Sequence, residues 1–241
     1  MAFRFSGLNP SNLFAATVVR REGQPIDFHF DADQAGSPLY STGGLEGMWW
    51  VPAQTSTDYL LLSNPSKKTV TGSLILSLTS ANRRIPLSIV PTQTQRIDLR
   101  ETLGPSSVGV MGGLTLALPG HESLSATQIV FDEVTGLAAI MKLFEREPDD
   151  KSNNHTLLAP MMALSQPDPG LAFPDGTTLI PRLFLRNAGA GQAEVSLTVD
   201  WHSASKSGES VFPALTLSPG ELTTINLADP QNRVQLPADA M

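Results

Sequence analysis

Apolar and polar residues alternate along most of this chain in short stretches. "YLLLSN" (59–64), "GSLILSL" (72–78), "IPLSIVP" (85–91), "GLTLALPG" (113–120) and "EVSLTVDW" (194–201) place apolar side chains at every second position, or run apolar briefly between turn formers. A period of two bounded by Gly, Pro, Asn or Ser predicts β-strands with one face buried. "LTLSPGELTTINL" (215–227) reads as strand, Pro-Gly turn, strand, with Leu215 and Leu217 before the turn answered by Ile225 and Leu227 after it. Strand signals return every ~8–12 residues, the spacing of a sandwich or barrel. Helical patterns are poor: Pro160 interrupts "LLAPMMAL", and "SNLFAATVVRRE" is rich in β-branched residues.

The strand pattern is written twice. "LLLSNPSKKTVTGSLILSL" matches "LFLRNAGAGQAEVSLTVDW" with Asn64 on Asn187, and "LSIVPTQTQRIDL" matches "LTLSPGELTTINL" with Pro91 on Pro219 and Ile97 and Leu99 on Ile225 and Leu227. Asn suits a tight turn because it tolerates the left-handed conformation. The second copy is longer around "SASKSGES", which predicts a longer loop there. Fainter matches set Ala16 and Thr17 of "FAATVV" on Ala126 and Thr127 of "LSATQI", and Pro52 of "WWVPA" on Pro160 of "LLAPM". These matches predict an all-β protein of two tandem antiparallel β-sandwich, immunoglobulin-like modules related by internal duplication. The break is expected in the Gly-, Ser- and Pro-rich "LGPSSVGVMGG", giving modules 1–104 and 105–241.

The segments "GMWWVPAQTSTDYLLLSNPS", "LLAPMMALSQPDPGLAFPDGTTLIPRLFLRNAGAG" and "LTLSPGELTTINL" resemble uncharacterised β-rich, multi-module proteins of soil acidobacteria. The resemblance covers most of the chain and rests on strand and turn residues. It implies tandem sandwiches in an exported bacterial protein, and it supplies no active site. The N-terminus "MAFRFSGLNPSN" has no apolar core of the kind a signal peptide needs. With "RVQLPADAM" ending on no turn or cap, this predicts a segment of something longer, extracytoplasmic by resemblance.

Composition narrows the chemistry. The 241 residues are 41% hydrophobic and 16% charged, enough apolar surface for folded cores. A net charge of −7 without a Lys/Arg cluster argues against a nucleic-acid surface. No apolar run approaches the ~20 residues of a membrane span. The absence of Cys removes disulfides, thiolate ligands and cysteine nucleophiles together.

Candidate sites are few. In "DFHFDAD" (27–33), Asp27, His29, Asp31 and Asp33 fall on one face of a predicted strand, opposite Phe28, Phe30 and Ala32. Alternate strand residues lie about 6–7 Å apart, so Asp27, Asp31 and Asp33 can share a divalent ion, calcium being the candidate, with His29 as proton carrier. "DADQAG" begins like a calcium loop but has Ala35 at the third ligand position and Thr42 at the twelfth, which excludes a full EF-hand. The other reading is the wet face of a strand whose charges discourage edge pairing. Under the duplication this face lies opposite "IMKLFER" (140–146), so its acids belong to one copy only.

Trp49 and Trp50 must point to opposite faces of a strand. One is expected in the core and the other can stack on a sugar or sit at an interface. His121, His155 and His202 lie near turns without a zinc spacing, and Asp200, His202 and Ser203 or Ser205 offer only a loose Ser–His–Asp grouping without a G-x-S-x-G elbow. Asp149–Asn154 and Gln166–Gly176 are oxygen-rich loops, and "NHT" at Asn154 fits the glycosylation triplet. The expectation is a non-catalytic binding or spacer module. The alternatives are a calcium-dependent hydrolase of small esters or lactones and a carbohydrate-binding module.

Overall fold

The computed structural model describes residues 16–20, 27–31, 44–78, 81–118, 124–134, 138–141, 143–145, 182–202, 206–226 and 229. The chain divides into two compact units, Met1–Lys151 and Ser152–Met241. All sheets are antiparallel, and the all-β, sandwich-like class expected from the alternation is what forms.

In unit 1, β1 (Ala16–Arg20) and β2 (Asp27–Asp31) make a hairpin. The sandwich consists of β3 (Leu45–Val51), β4 (Ser56–Ser63), β5 (Val70–Ser77), β6 (Asn82–Ile89), β7 (Thr94–Asp98), β8 (Val110–Ala117), β9 (Ser125–Asp132), β10 (Ala138–Met141) and β11 (Phe144–Glu145). One sheet runs β11-β3-β8-β5-β6 and the other β10-β9-β4-β7. The pairs β3·β8, β4·β7 and β5·β6 nest inside one another, so the chain from β3 to β8 is a long folded ribbon passing between the sheets at each pair. This winding is of the jelly-roll kind. Counting from β3, the first, third, fourth and sixth strands share a sheet, whereas an immunoglobulin constant domain groups the first, second, fourth and fifth.

Alternation explains the core. Leu45, Trp49 and Val51 of β3, Leu60 and Leu62 of β4, Leu74 and Leu76 of β5, and Leu114 and Leu116 of β8 meet between the sheets in one cluster. Each such side chain contributes about 1.5–3 kcal/mol of burial. Trp49 lies over Gly112, its cross-strand partner, and donates its indole N–H to the Ser77 carbonyl at 3.1 Å. A Cβ on Gly112 would fall 2.5 Å from that indole, so only glycine fits. β6 is an edge strand, and Pro86 sits where its missing N–H costs least.

The stretch 103–113 is therefore not a linker. A short helix α1 (Leu99–Leu103), capped by Asp98 through Glu101 N–H, and a 3-10 turn over Pro105–Ser107 occupy its start. β8 then returns to the middle of the five-stranded sheet, and β9, the "LSATQI" strand, zips along β4. The division consequently falls at Lys151/Ser152 rather than at 104/105. Glycine richness suggested a linker; Gly112 is there because Trp49 needs the room.

In unit 2, β12 (Arg182–Arg186) pairs with β17 (Leu222–Asn226), β13 (Ala193–Val195) with β16 (Leu215–Leu217), and β14 (Thr198–His202) with β15 (Ser207–Val211). This is again a nested ribbon. The extra residues of "SASKSGES" lengthen its tip, with Ser207 to Ser210 in strand β15 instead of in the expected loop. Phe212 and Ile225 anchor a small core with Leu183, Leu185, Leu197, Val199 and Leu215.

Candidate functional site

The acidic stretch does form a strand: β2 pairs with β1 so that Asp27, His29 and Asp31 stand opposite Arg20, Val18 and Ala16. Their side chains, and Asp33 altogether, lie outside the described residues. So do His121, His155, Ser203, Ser205 and the loops 149–154 and 166–176. Among the described residues no three His, Cys, Asp or Glu side chains gather as a metal site. Asp200 and His202 alternate on β14, opposite Glu209 and Ser207.

The two tryptophans separate as the alternation requires. Trp49 has 0% exposure in the core, so no ligand can stack on it. Trp50 takes the outer face of the sheet and is half-buried, with Met111 as cross-strand partner and Met48 two residues before it. Of the two, Trp50 alone keeps exposed surface.

The main polar feature inside the fold is one the sequence reading passed over. Asp58 has 0% exposure and its Oδ2 accepts two hydrogen bonds, from Trp50 N–H at 2.9 Å and from Gln128 Nε2 at 2.8 Å. Gln128, equally buried, also donates Nε2 to the Met48 carbonyl at 2.7 Å. Asp58 on β4 and Gln128 on β9 thus tie one sheet to the backbone of β3 in the other. They do so past the described pairs of β11, which stand opposite Leu45 and Glu46. Burial pushes the Asp58 carboxyl from the ordinary 3.8 to about 7; the Trp50 and Gln128 hydrogen bonds pull it down, and Asp98 adds a smaller push upward. Sealed from solvent, this carboxyl cannot reach a substrate, and its chemistry is confined to protonation. The signal was available: Asp58 is in phase with Leu60 and Leu62, so alternation already places it on the core face.

Asn64 is in phase too, and it ties the ribbon together. Its Nδ2 donates to the Lys68 and Ile89 carbonyls at 2.8 and 2.7 Å, and its Oδ1 accepts from Ser66 N–H at 2.9 Å. Its backbone N–H reaches Gln93 O, and its carbonyl accepts from Thr92 N–H. Asn187 repeats the set. Nδ2 reaches Gly191 O at 2.7 Å and Leu217 O at 3.0 Å, Oδ1 takes Gly189 N–H at 2.9 Å, and the backbone engages Glu221 and Gly220. Neither asparagine has a positive φ; Thr92 is the one non-glycine that does among the described residues. The left-handed rationale for these asparagines is therefore replaced; each forms its turn through its side-chain oxygen instead. A buried amide is needed because it satisfies two carbonyls and one N–H at once.

No family model, curated protein or solved structure matches this chain. Among the described residues no helix is long and apolar enough to cross a membrane.

Proposed function

We propose that this chain is a non-catalytic binding or spacer segment of an exported, multi-module bacterial protein, built from two copies of one β module. The observation that supports this most is the recurrence of the asparagine knot. Asn64 and Asn187 make the same three side-chain hydrogen bonds between corresponding parts of two nested ribbons. Such a knot serves architecture, and repeating an architectural unit extends a chain without adding chemistry. Binding is assigned to the outer face of β3 and β8, where Trp50, Met48 and Met111 present soft and aromatic surface suited to a sugar ring or a protein partner.

The hydrolase reading keeps one favourable observation, since β2 sets Asp27, His29 and Asp31 at alternate positions of a strand. One experiment separates the readings. The intact chain is titrated with soluble polysaccharide fragments while tryptophan emission is followed, and is incubated in parallel with small esters and lactones plus millimolar Ca²⁺. Quenching lost in Trp50→Ala, without turnover, supports the binding module. Calcium-dependent turnover lost in Asp31→Asn overturns it.

A further inference from the structure

The tie between Asp58 and Gln128 is one donor short. Asp58 Oδ1 and Gln128 Oε1 are both buried, and among the described residues neither has a hydrogen-bond partner. Turning the Gln128 amide over does not help. Its Nε2 lies between two acceptors, Met48 O and Asp58 Oδ2, and the exchange would set Oε1 against both. Asp58 Oδ2 is already occupied by two N–H groups. A single proton on Oδ1 converts a buried carboxylate into a neutral donor and leaves both existing bonds in place.

We propose that unit 1 takes up one proton at Asp58 when its sandwich closes, so that the tie between β3 and the β4–β9 sheet is a proton-sensitive latch, shut when Asp58 is neutral and loosened when it ionises. Among the described residues the surrounding elements offer the carboxylate no compensation. Their charged groups are Glu46 on β3, Glu145 on β11, Arg96 and Asp98 on β7, Asp132 on β9, and Arg100 and Glu101 on α1; β10 carries none. Arg96 lies over the Tyr59 ring and Arg100 donates to the Ser56 carbonyl, so both cations are engaged elsewhere. Asp98 is the charge felt at Asp58, and its sign opposes ionisation. Opening the latch releases the Met48 carbonyl and the Trp50 N–H from Gln128 and Asp58, past the two residues of β3 that pair with β11. The latch does not depend on what, if anything, Trp50 binds.

The direction of the pH effect follows from the folded carboxyl holding its proton to about 7 and the unfolded one only to 3.8. Between these values the folded state binds more protons. The stabilisation is therefore complete below 3.8 and is lost as the pH rises through about 7. Uptake of one proton changes the unfolding constant by up to about tenfold per pH unit in that window.

The test is hydrogen exchange by mass spectrometry on the full chain from about pH 5 to about pH 9, read on peptides of β3 and β4 and corrected for intrinsic exchange. The parent is expected to lose protection as the pH approaches neutrality, while Asp58→Asn, which keeps an acceptor oxygen and adds a donor, holds it across the range. An equal pH slope in Asp58→Asn overturns the proposal. Should that variant not fold, infrared spectra of the parent decide. A protonated-carboxyl C=O band is expected at about pH 5 and gone at about pH 9, and a spectrum without it at the lower pH overturns the latch.

Discussion

The two units contain the same ribbon under different loads. In unit 1 the ribbon β4 to β7 is layered against β3 and β8, and Leu60 and Leu62 are wholly buried. In unit 2 the corresponding Leu183 and Leu185 are half-buried beside a small core centred on Phe212 and Ile225. The hydrophobic environment differs, yet three side-chain bonds of the asparagine and the bonds of the Pro-containing turn beside it recur, with Ser66 Oγ adding a further bond to Asn64. The Asp58 latch does not recur: Pro181 aligns with Asp58 in the matching segment of unit 2. Burial thus varies with what packs on the ribbon, whereas backbone groups at the ribbon's bend need partners whatever covers them.

Removing the knot is the strongest way to break this comparison. Asn64→Ala leaves the buried Ile89 carbonyl and the Ser66 N–H without the Asn64 side chain, while the exposed Lys68 carbonyl keeps Ser66 Oγ. A loss of about 3–5 kcal/mol in unit 1 is expected. Asn187→Ala removes the same bonds, but its site is 8% exposed against 0% for Asn64. Water replaces part of the loss there, and about 2–3 kcal/mol is expected. Denaturant-dependent hydrogen exchange, read separately on peptides of each unit, measures both. Equal losses would mean that solvent access does not matter at the knot.

The tryptophan–glycine pairs sharpen the contrast. Gly112 faces Trp49 and Gly208 faces Trp201 across their strands. A Cβ on Gly112 would meet the Ser77 backbone oxygen at 2.0 Å as well as the buried indole, so Gly112→Ala should cost about 3 kcal/mol. On Gly208 its nearest neighbours would be atoms of the Trp201 ring, from 2.6 Å. That ring is half-buried and held by one bond from its N–H to Ser210 Oγ, a less rigid neighbour than backbone, so Gly208→Ala should cost about 1 kcal/mol. Thermal unfolding of the two variants side by side checks the ranking.

Alternation made the strands legible, because a period of two is imposed by backbone geometry on any half-buried strand. It also contained Asp58 and Gln128, both in phase with core residues, but a polar residue within an apolar pattern is easily taken for noise. The repeat exposed Asn64 and Asn187 as counterparts without revealing their work, since their partners lie in other strands of the ribbon. Strand pairing was illegible for the same reason. Nothing local in "GVMGGLTLAL" says that it returns to the centre of a sheet begun more than fifty residues earlier, and its glycines look like a linker until Trp49 is set above them.

The smallest test lies in the turn that both knots grip. Val90-Pro91-Thr92-Gln93 and Ser218-Pro219-Gly220-Glu221 close with the same hydrogen bond, Gln93 N–H to Val90 O and Glu221 N–H to Ser218 O. The side chain of the fourth residue also returns in each to the N–H of the first. With Pro second and a positive φ third, both are type II turns. Gly220 adopts φ 77° freely, while Thr92 is held at φ 61°, where a β-branched side chain is strained. The knot supplies the restraint, because Thr92 N–H donates to the Asn64 carbonyl. Thr92→Gly should therefore stabilise unit 1 by about 0.5–1 kcal/mol, the relief exceeding the added flexibility of the unfolded chain, and Gly220→Thr should destabilise unit 2 by about 1 kcal/mol. In the Asn64→Ala background the turn loses a side-chain anchor at its base, and the gain from Thr92→Gly should shrink. A double-mutant cycle in urea reads that coupling, and a gain unchanged by Asn64→Ala would show that the turn holds its strained residue without help from the knot.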